Sequence, residues 1–397
     1  MPTTVLFLMS TMFIANIGFG IILPTLPFLS RQVGASTFEL GLALSAFAIA
    51  QLLFSSFWGG MSDRVGKRPI LILGIVGYGV TSALVGLSPN VVVLLLLRFL
   101  SGALCSAVMP ASLSLAANAT TPEMRPRVMA YMGSVNGIGF IVGPPLGAVL
   151  SVFGLQVPFV SVGILSIVNG IVALWLLPKE SPRPVGDEQT KLSFRGFLQI
   201  KHNLRAFFDR SLTPFLGGTF AFTLADATVT STLAFFLTDT LHSTQAMAGW
   251  AFMVNGGVGA LIQVAMFSAM YQRWGEKATI VTGFSFGALG YLTLGLSTSV
   301  VWVFVAITLL AFCRGFAFPA MTSAISLRTT VHSQGSSFGS QMTFNSLGRT
   351  IGPLIAGWLF AYQERFPYFF ACGLLVATVL FIRVGLKGKL SARAEQA

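Results

Sequence analysis

Residues 59–68 read Gly-Gly-Met-Ser-Asp-Arg-Val-Gly-Lys-Arg and separate two long apolar runs of the chain. Basic residues gather where a membrane helix ends at the cytoplasmic surface, and cations also suit the negative end of a helix dipole. Three bases of this stretch fit that description: Arg64, Lys67 and Arg68. Asp63 does not fit it, because it adds a negative charge where cations are favoured. The stretch therefore predicts a turn between two membrane-spanning helices that does more than anchor them.

Outward from this stretch, the whole chain has the composition of a membrane protein. Of its 397 residues, 54% are hydrophobic and only 9% are charged, and the mean hydropathy is +0.80. A soluble domain has about 25% charged residues. The composition therefore excludes a soluble enzyme, a disordered chain and a disulfide-rich secreted module. The three cysteines all lie inside apolar runs, which argues against a disulfide framework.

Twelve apolar runs are long enough to cross about 30 Å of hydrocarbon as helices. They lie at about 5–29, 39–61, 69–88, 91–118, 128–152, 158–178, 213–238, 245–271, 278–297, 301–328, 338–362 and 367–385. The sequence predicts an all-α membrane protein of twelve transmembrane helices in two six-helix, pseudo-symmetric halves. We expect an N-terminal half at 1–178, a cytoplasmic linker at 179–212 and a C-terminal half at 213–397 with a short cytoplasmic tail.

The distribution of charge sets the predicted orientation. Nineteen of the 24 Lys and Arg residues fall on one side of a twelve-span chain, and two fall on the other. By the positive-inside rule the richer side is cytoplasmic. We therefore expect both termini in the cytoplasm and the protein in the cell (inner) membrane. The net charge of +12 is explained by these loops, so we expect no nucleic-acid partner.

The two halves also repeat in sequence. A constant shift of 209 residues places Arg64 on Arg273 and Asn136 on Asn345, and places the segments 110–111, 120–121 and 139–144 on similar residues of the second half. Six spans in each repeat means that the repeats run parallel. In transporters with this symmetry the substrate site lies between the halves near the membrane midplane.

The stretch at 59–68 resembles the G-x-x-S/A-D-R-x-G-R/K-R/K signature of the major facilitator superfamily. Residues 18–27 are similar to the G-x-G-x-x-x-P-x-x-P pattern of its twelve-span drug:proton antiporters, and Arg98 with Gly102 matches the R-x-x-x-G of that group. The resemblance implies the fold of that superfamily and a function like that of quinolone, tetracycline or multidrug efflux transporters. It implies a cytoplasmic gate formed by Gly59, Asp63, Arg64, Gly66, Lys67 and Arg68. A local salt bridge is the alternative interpretation.

A glycine-rich segment in the fifth run resembles the antiporter motif of the same group. Its residues are Gly139, Gly143, Pro144 and Gly147, and Ala148 stands where the family often has a second glycine. Glycines four residues apart share one helix face and permit close packing, and a proline permits a bend. The motif therefore indicates either tight packing alone or a bend that favours export. Gly348, Gly352 and Pro353 repeat it in the second half.

Ionisable residues inside the spans are the sharpest functional clue, because they are costly there and usually functional. At 1.5 Å per residue, Asp226 lies about 20 Å into its span, and Arg314 and Arg349 come out at a similar depth. We expect both arginines to face the central cavity and at least one to pair with Asp226. Two interpretations stay open: Asp226 exchanges a proton or meets the substrate while an arginine stabilises its charged form, or the pair only neutralises buried charge.

Arg98 lies about 10 Å from the outer end of its span, where snorkelling could bring it to water. The family resemblance links this arginine to proton coupling. An arginine cannot itself deprotonate, so its role must be exerted on a partner.

We therefore expect a non-enzymatic secondary transporter, a proton-coupled exporter of small amphipathic compounds that works by alternating access. A facilitator or symporter that imports a small metabolite is the alternative, and a non-transporting sensor or scaffold is a weaker one. No P-loop or metal-ligand spacing occurs, so we expect no cofactor and no metal, with the proton as coupling ion. We expect a monomer whose partners are its small-molecule substrate and the lipid bilayer.

Overall fold

The computed structural model describes residues 3–121, 124–177, 211–329 and 334–385. All regular structure in these residues is helical, as the composition predicted. The helices of the first half are α1 (Thr3–Gln32), α2 (Thr37–Val65), α3 (Lys67–Gly86), α4 (Val91–Cys105), α5 (Val108–Asn118), α6 (Arg125–Ser151) and α7 (Val157–Leu176). Those of the second half are α8 (Thr213–Phe235, extended by a π-turn at Phe236–Thr240), α9 (Gln245–Ala265), α10 (Phe267–Leu296), α11 (Val300–Leu327), α12 (Gln334–Tyr362) and α13 (Phe366–Gly385).

Ten segments of the described chain are long and apolar enough to span a membrane. The fourth of them, Val91–Asn118, contains both α4 and α5, which meet at a short break after Cys105. Helices α6 and α12, the remaining two predicted spans, have 27 and 29 residues and are long enough to cross. The all-α membrane fold is therefore confirmed.

The repeat extends to the helix boundaries. Adding 209 to the bounds of α7 gives those of α13, and adding it to the segment 91–118 gives those of α11. One side-chain contact is repeated as well: the Arg68 guanidinium donates to the carbonyl of Leu174, and the Lys277 ammonium donates to the carbonyl of Arg383 at 3.1 Å. Both acceptors and both donors are 209 residues apart. The predicted repeat of the two halves is thus also visible in an individual hydrogen bond.

The described helices fall into two compact units. Helices α1–α7 belong to the first, and α8, α10–α13 and most of α9 belong to the second. The predicted linker at 179–212 and the tail beyond 385 lie almost wholly outside the described residues, so those domain boundaries stay predictions.

The corresponding pairs of helices pack closely in both units. In the first unit α1 packs on α6 and α3 on α7, and in the second α8 packs on α12 and α10 on α13. Small residues make the α1–α6 contact possible: a Cβ on Gly143 would lie 2.7 Å from the carbonyl oxygen of Ile17, and one on Gly139 would lie 2.9 Å from that of Phe13. The backbones of the two helices therefore touch.

The stretch at 59–68 differs from the turn that we expected. Helix α2 continues to Val65 and α3 begins at Lys67, so the connection is the single residue Gly66. Its φ of 103° lies in a region that side chains rarely adopt, which explains the glycine. The connection can consist of one residue because glycine adopts this backbone conformation without steric cost.

Candidate functional site

The centre of the second unit holds an ion pair between α8 and α11. A guanidinium nitrogen of Arg314 lies 2.6 Å from a carboxylate oxygen of Asp226. The side chains remain 29% and 31% accessible, respectively, so the pair is partly shielded and still reachable. Charge-assisted hydrogen bonds are stronger than neutral ones, and a shielded environment strengthens them further. Of the two arginines predicted as partners, the structure brings Arg314 to the carboxylate.

The surroundings of this pair explain why it is held in place. Tyr291 on α10 and Cys313 on α11 are both almost fully buried and lie in the electrostatic neighbourhood of Asp226 and Arg314. On the α9 side there is no side chain at Gly259, where a Cβ would lie 3.5 Å from the Cδ of Arg314. The aliphatic part of the arginine therefore lies beside Gly259 of α9.

Helix α12 reaches the same level through the repeated glycine motif. A Cβ on Gly352 would lie 2.5 Å from the Cβ of Ala227, and one on Gly348 would lie 2.8 Å from that of Thr223. These contacts flank Asp226 along α8. Arg349 follows directly after Gly348 and is half-buried, so it lies at the level of this contact. Its predicted role toward the substrate stays a prediction.

Arg98 belongs to the first unit and therefore to a different environment. It is only 1% exposed, and its guanidinium carbon lies 4.5 Å from the centre of the Phe47 ring, a cation–π distance. Gly102, one turn further along α4, packs against the backbone of Phe47. The snorkelling alternative for Arg98 was wrong, because the side chain is almost completely buried and stacks on Phe47 of α2. The R-x-x-x-G pattern instead joins α4 to α2.

The gate residues of the first unit are only partly described. Gly66 is the single-residue connection, Arg68 binds the end of α7, and Lys67 begins α3. A Cβ on Gly59 would meet no atom within 4 Å. The side chains of Asp63 and Arg64 lie outside what the structure describes, so the choice between gate and local salt bridge remains a prediction.

The second copy of this motif carries its own ion pair. Gly275 repeats the positive φ of Gly66, at 75°. Glu276, the next residue, accepts a hydrogen bond of 2.7 Å from Arg328 at the end of α11. The Arg328 guanidinium also stacks on the ring of Phe215, 4.4 Å from its centre. The residue equivalent to Asp63 is Gln272, and Glu276 supplies the carboxylate of this pair.

Residues of the antiporter-like motif serve helix packing in the structure. Gly139, Gly143 and Gly147 all face α1, and the helix α6 continues through Pro144 without a break. The close packing that the motif predicted is present. A bend that favours export stays a prediction.

Sequence reasoning missed several buried hydroxyl groups around the ion pair. Thr232 contacts the hydroxyl of Tyr368 at 3.1 Å, and both Tyr291 and Thr228 are almost fully buried. The internal repeat could have revealed these hydroxyl residues, because most of their equivalents in the first half are apolar.

Comparison with known proteins gives one family. The profile described as Major Facilitator Superfamily matches residues 8–222 and again residues 215–396. Multidrug resistance protein 2 of Bacillus subtilis (strain 168) is 28% identical over 382 residues, which cover 93% of this chain and 92% of that protein. Quinolone resistance protein NorA of Staphylococcus aureus (strain MSSA476) is 27% identical over 379 residues, which cover 94% of each.

A solved structure shows the same fold. The nucleoside transporter NupG superimposes with a TM-score of 0.80 at 13% identity, and the match covers 96% of this chain and 100% of that one. At this identity the likeness concerns the fold alone.

Proposed function

The chain belongs to the major facilitator superfamily, and on that premise we propose that it exports small amphipathic compounds in exchange for protons. We place it in the cell membrane as a monomer with both termini in the cytoplasm. The names of the similar multidrug and quinolone resistance proteins support export over the import of a metabolite. No cofactor is needed in this proposal, because the proton gradient supplies the energy.

The observation that carries the proposal is the ion pair of Asp226 and Arg314. Its carboxylate is the acid that lies deepest in a span, it is partly accessible, and its partner sits on a different helix. A proton taken up by Asp226 removes the negative charge and with it the charge-assisted bond between α8 and α11. Arg314 is then left as a cation without its counterion. Protonation therefore changes how strongly the two helices are held together.

This coupling gives an exchange cycle. The charged form of Asp226 holds Arg314, and the protonated form releases it. A ligand that binds one of the two forms better shifts the equilibrium by its difference in affinity. Proton and substrate that prefer opposite forms then exclude one another, which is the requirement for antiport. Arg314 also makes zwitterionic and anionic substrates compatible with the site, since protonation of Asp226 removes the negative charge that faces this arginine.

The test is an assay of proton release in inside-out vesicles. Vesicles that contain the protein are acidified by respiration, and a quinolone, a tetracycline and the cationic dye ethidium are added in turn to the outside. We expect at least one compound to release protons from the vesicle lumen while it accumulates there. Vesicles from cells without the protein provide the baseline. Accumulation without proton release would reject antiport, and proton movement in the same direction as the compound would favour a symporter.

A further inference from the structure

A partly exposed strip lies between α8 and α11 and contains the ion pair. On α8, Phe222 and Asp226 are half-buried, and the three residues between them are buried. On α11, Arg314 and Phe318 are half-buried, and the three residues between them are buried as well. Because residues four apart lie on one face of a helix, each helix presents one charged and one aromatic side chain on the same accessible face. We call Phe222, Asp226, Arg314 and Phe318 the α8–α11 site.

The two helices meet at two levels in the α8–α11 site. At one level, the guanidinium of Arg314 lies 2.6 Å from the carboxylate of Asp226. At the other, the rings of Phe222 and Phe318 have their centres 5.8 Å apart and their planes inclined by 39°. The two levels are one helical turn apart, about 6 Å along each axis. The site therefore places a pair of aromatic rings directly beside a pair of opposite charges.

The accessible side of the ion pair faces a space that water can enter. Lipid tails offer neither a counterion nor a hydrogen bond, so charged groups within a span face the protein interior or a water-filled cavity. Arg314 and Asp226 keep 29% and 31% of their side-chain surface accessible. A ligand that enters this space from water can therefore reach both charges.

The polar groups of the next level beyond the rings bond within the protein. The hydroxyl of Thr322, one turn beyond Phe318 on α11, donates to the carbonyl of Phe318 at 3.1 Å. It also accepts a hydrogen bond of 2.9 Å from the amide of Gln341 on α12, which is 5% exposed. On this side the α8–α11 site therefore ends at the two rings.

The charges of the site determine which ligand charges it accepts. A cation would pair with Asp226 and leave Arg314 without its counterion in a shielded place, which is unfavourable. An anion would pair with Arg314 and bind best when Asp226 is protonated, so it would bind together with the proton and not in exchange for it. A ligand that carries both charges replaces both partners of the ion pair, and it depends on the charged form of Asp226.

We propose that the α8–α11 site binds aromatic zwitterions. The cationic group of the substrate pairs with Asp226, its carboxylate pairs with Arg314, and its ring system packs on Phe222 and Phe318. Aromatic rings prefer offset or edge-to-face contacts, which two inclined rings offer to a planar ligand. The inference rests on the proposed function and narrows its substrate class.

Proton and zwitterion exclude one another at this site. A proton on Asp226 removes the charge that the cationic group of the substrate needs, and a bound cationic group disfavours that proton. The other ionisable groups near the carboxylate are Cys313 on α11 and Tyr291 on α10, which are both almost fully buried. Arg349 on α12 lies at the same level and has interactions of its own. Asp226 is therefore the acid for which substrate and proton compete.

The experiment compares three forms of one aromatic compound on the purified full-length protein. The quinolone ciprofloxacin carries a carboxylate and a protonatable amine, its methyl ester keeps only the cation, and its N-acetyl derivative keeps only the anion. Calorimetric titration in detergent at neutral pH gives the Kd of each compound. We expect ciprofloxacin to bind at least about tenfold more tightly than either derivative, because it alone replaces both charges. This comparison needs no variant.

Two variants at Arg314 test the role of the positive charge. In Arg314→Gln we expect the Kd of ciprofloxacin to rise about tenfold. The Kd of the methyl ester should not rise, because its cation no longer competes with an arginine for Asp226. Arg314→Lys keeps the charge and so protects the fold. Here we expect the Kd of ciprofloxacin to rise about threefold, because lysine lacks the forked geometry that matches a carboxylate.

A third variant and a control test the rings. Phe318→Leu should weaken the binding of all three compounds by a similar factor of about three, because the ring contact is common to them. Phe312→Leu is the matched control. Its ring lies on another face of α11 and stacks on Phe286 of α10, with 5.0 Å between the ring centres, so all three Kd values should stay unchanged.

Three results would overturn the inference: no binding of ciprofloxacin, equal binding of ciprofloxacin and its methyl ester by the wild-type protein, or an equal rise of all three Kd values in Arg314→Gln, which indicates a structural role. The proposed function fails separately. If the wild-type protein shows the expected preference but the vesicle assay gives accumulation without proton release, proton exchange is rejected and the zwitterion site remains.

Discussion

The two halves of the chain share one helical frame and differ in what they place inside it. Three features recur after 209 residues: several helix bounds, the positive φ of Gly66 and Gly275, and the bond from a basic side chain to the last helix of each half. The central ion pair does not recur, because the equivalents of Asp226 and Arg314 are Ile17 and Cys105. The comparison separates two classes of residue. Small residues at helix contacts build the frame in both copies, and charged residues in one copy supply the chemistry.

The first half has a buried arginine of its own, Arg98, which is not repeated in the second half. Its equivalent in the second half is Ile307, which is fully buried, and the equivalent of Phe47 is Gly256. Arg98 and Arg314 are therefore both intramembrane arginines that contact a side chain of another helix. Arg98 rests on an aromatic ring, and Arg314 rests on a carboxylate that can take a proton. The two arginines thus differ in whether a change of protonation can release them.

The largest effect is expected from Asp226→Asn. The amide keeps the shape of the side chain but cannot exchange a proton, so we expect gradient-driven accumulation to be abolished while the compound still equilibrates. Uptake into inside-out vesicles with and without a protonophore measures this. Glu39→Gln in the first half is the control, because this exposed acid caps α2 through Ser36 and glutamine can do the same. Unchanged gradient-driven transport in the Asn variant would remove Asp226 from the mechanism.

A second prediction gives the second half the residues of the first. Asp226→Ile alone leaves Arg314 without its counterion, which we expect to destabilise the protein by about 1–3 kcal/mol. The double variant Asp226→Ile with Arg314→Cys should recover most of that stability, because replacing a buried ion pair with apolar residues is often neutral. Thermal unfolding in detergent measures both.

Both variants should be inactive in transport. If the double variant is no more stable than the single one, the ion pair contributes to the helical frame. The proposed separation between residues that build the frame and residues that serve transport would then be wrong.

A third prediction tests the shared frame. Gly143→Ala and Gly352→Ala place a methyl group against the facing helix in the first and second half, at 2.7 Å from the Ile17 oxygen and 2.5 Å from the Ala227 Cβ. Overpacking of this kind costs about 1–3 kcal/mol, and we expect similar losses of thermal stability in the two halves.

Gly373→Ala is the control for both variants. A Cβ there meets no atom within 4 Å, and alanine favours a helix by up to about 1 kcal/mol over glycine. A large loss in one half with none in the other would show that the halves do not share the same packing device.

The smallest effect is expected at the second copy of the gate motif. Glu276 binds Arg328, whereas the equivalent residues of the first half are Lys67 and Ala119. The two side chains are 18% and 25% exposed, so Glu276→Gln should cost about 0.2–1 kcal/mol, as partly solvated pairs do. A double-mutant cycle with Arg328→Gln measures the coupling between them. A coupling of zero would mean that the arginine is held by its stacking on Phe215 and its hydrogen bond to the carbonyl of Ala324.

The sequence by itself determined most of the frame. Span number, the repeat, the family resemblance and the depth of Asp226 follow from local properties, because the hydrocarbon thickness fixes helix length and the bilayer penalises charge. Contact between glycine faces was also readable, since residues four apart lie on one side of a helix. The single-residue connection at Gly66 could not be read from the sequence, because Ser62 and Val65 are as compatible with a helix as with a turn.

Only the tertiary structure decided which groups meet. Asp226 and Arg314 are 88 residues apart, and Arg349 was an equal candidate at the same depth. Helix α8 belongs to the segment with the largest buried share of all the candidate spans, so its sequence shows no polar face that would reveal its rotation. The pairing of Thr232 with Tyr368 and the stacking of Arg98 on Phe47 depend on that rotation and on the approach of neighbouring helices. Such contacts are set by packing between distant segments, which no local pattern encodes.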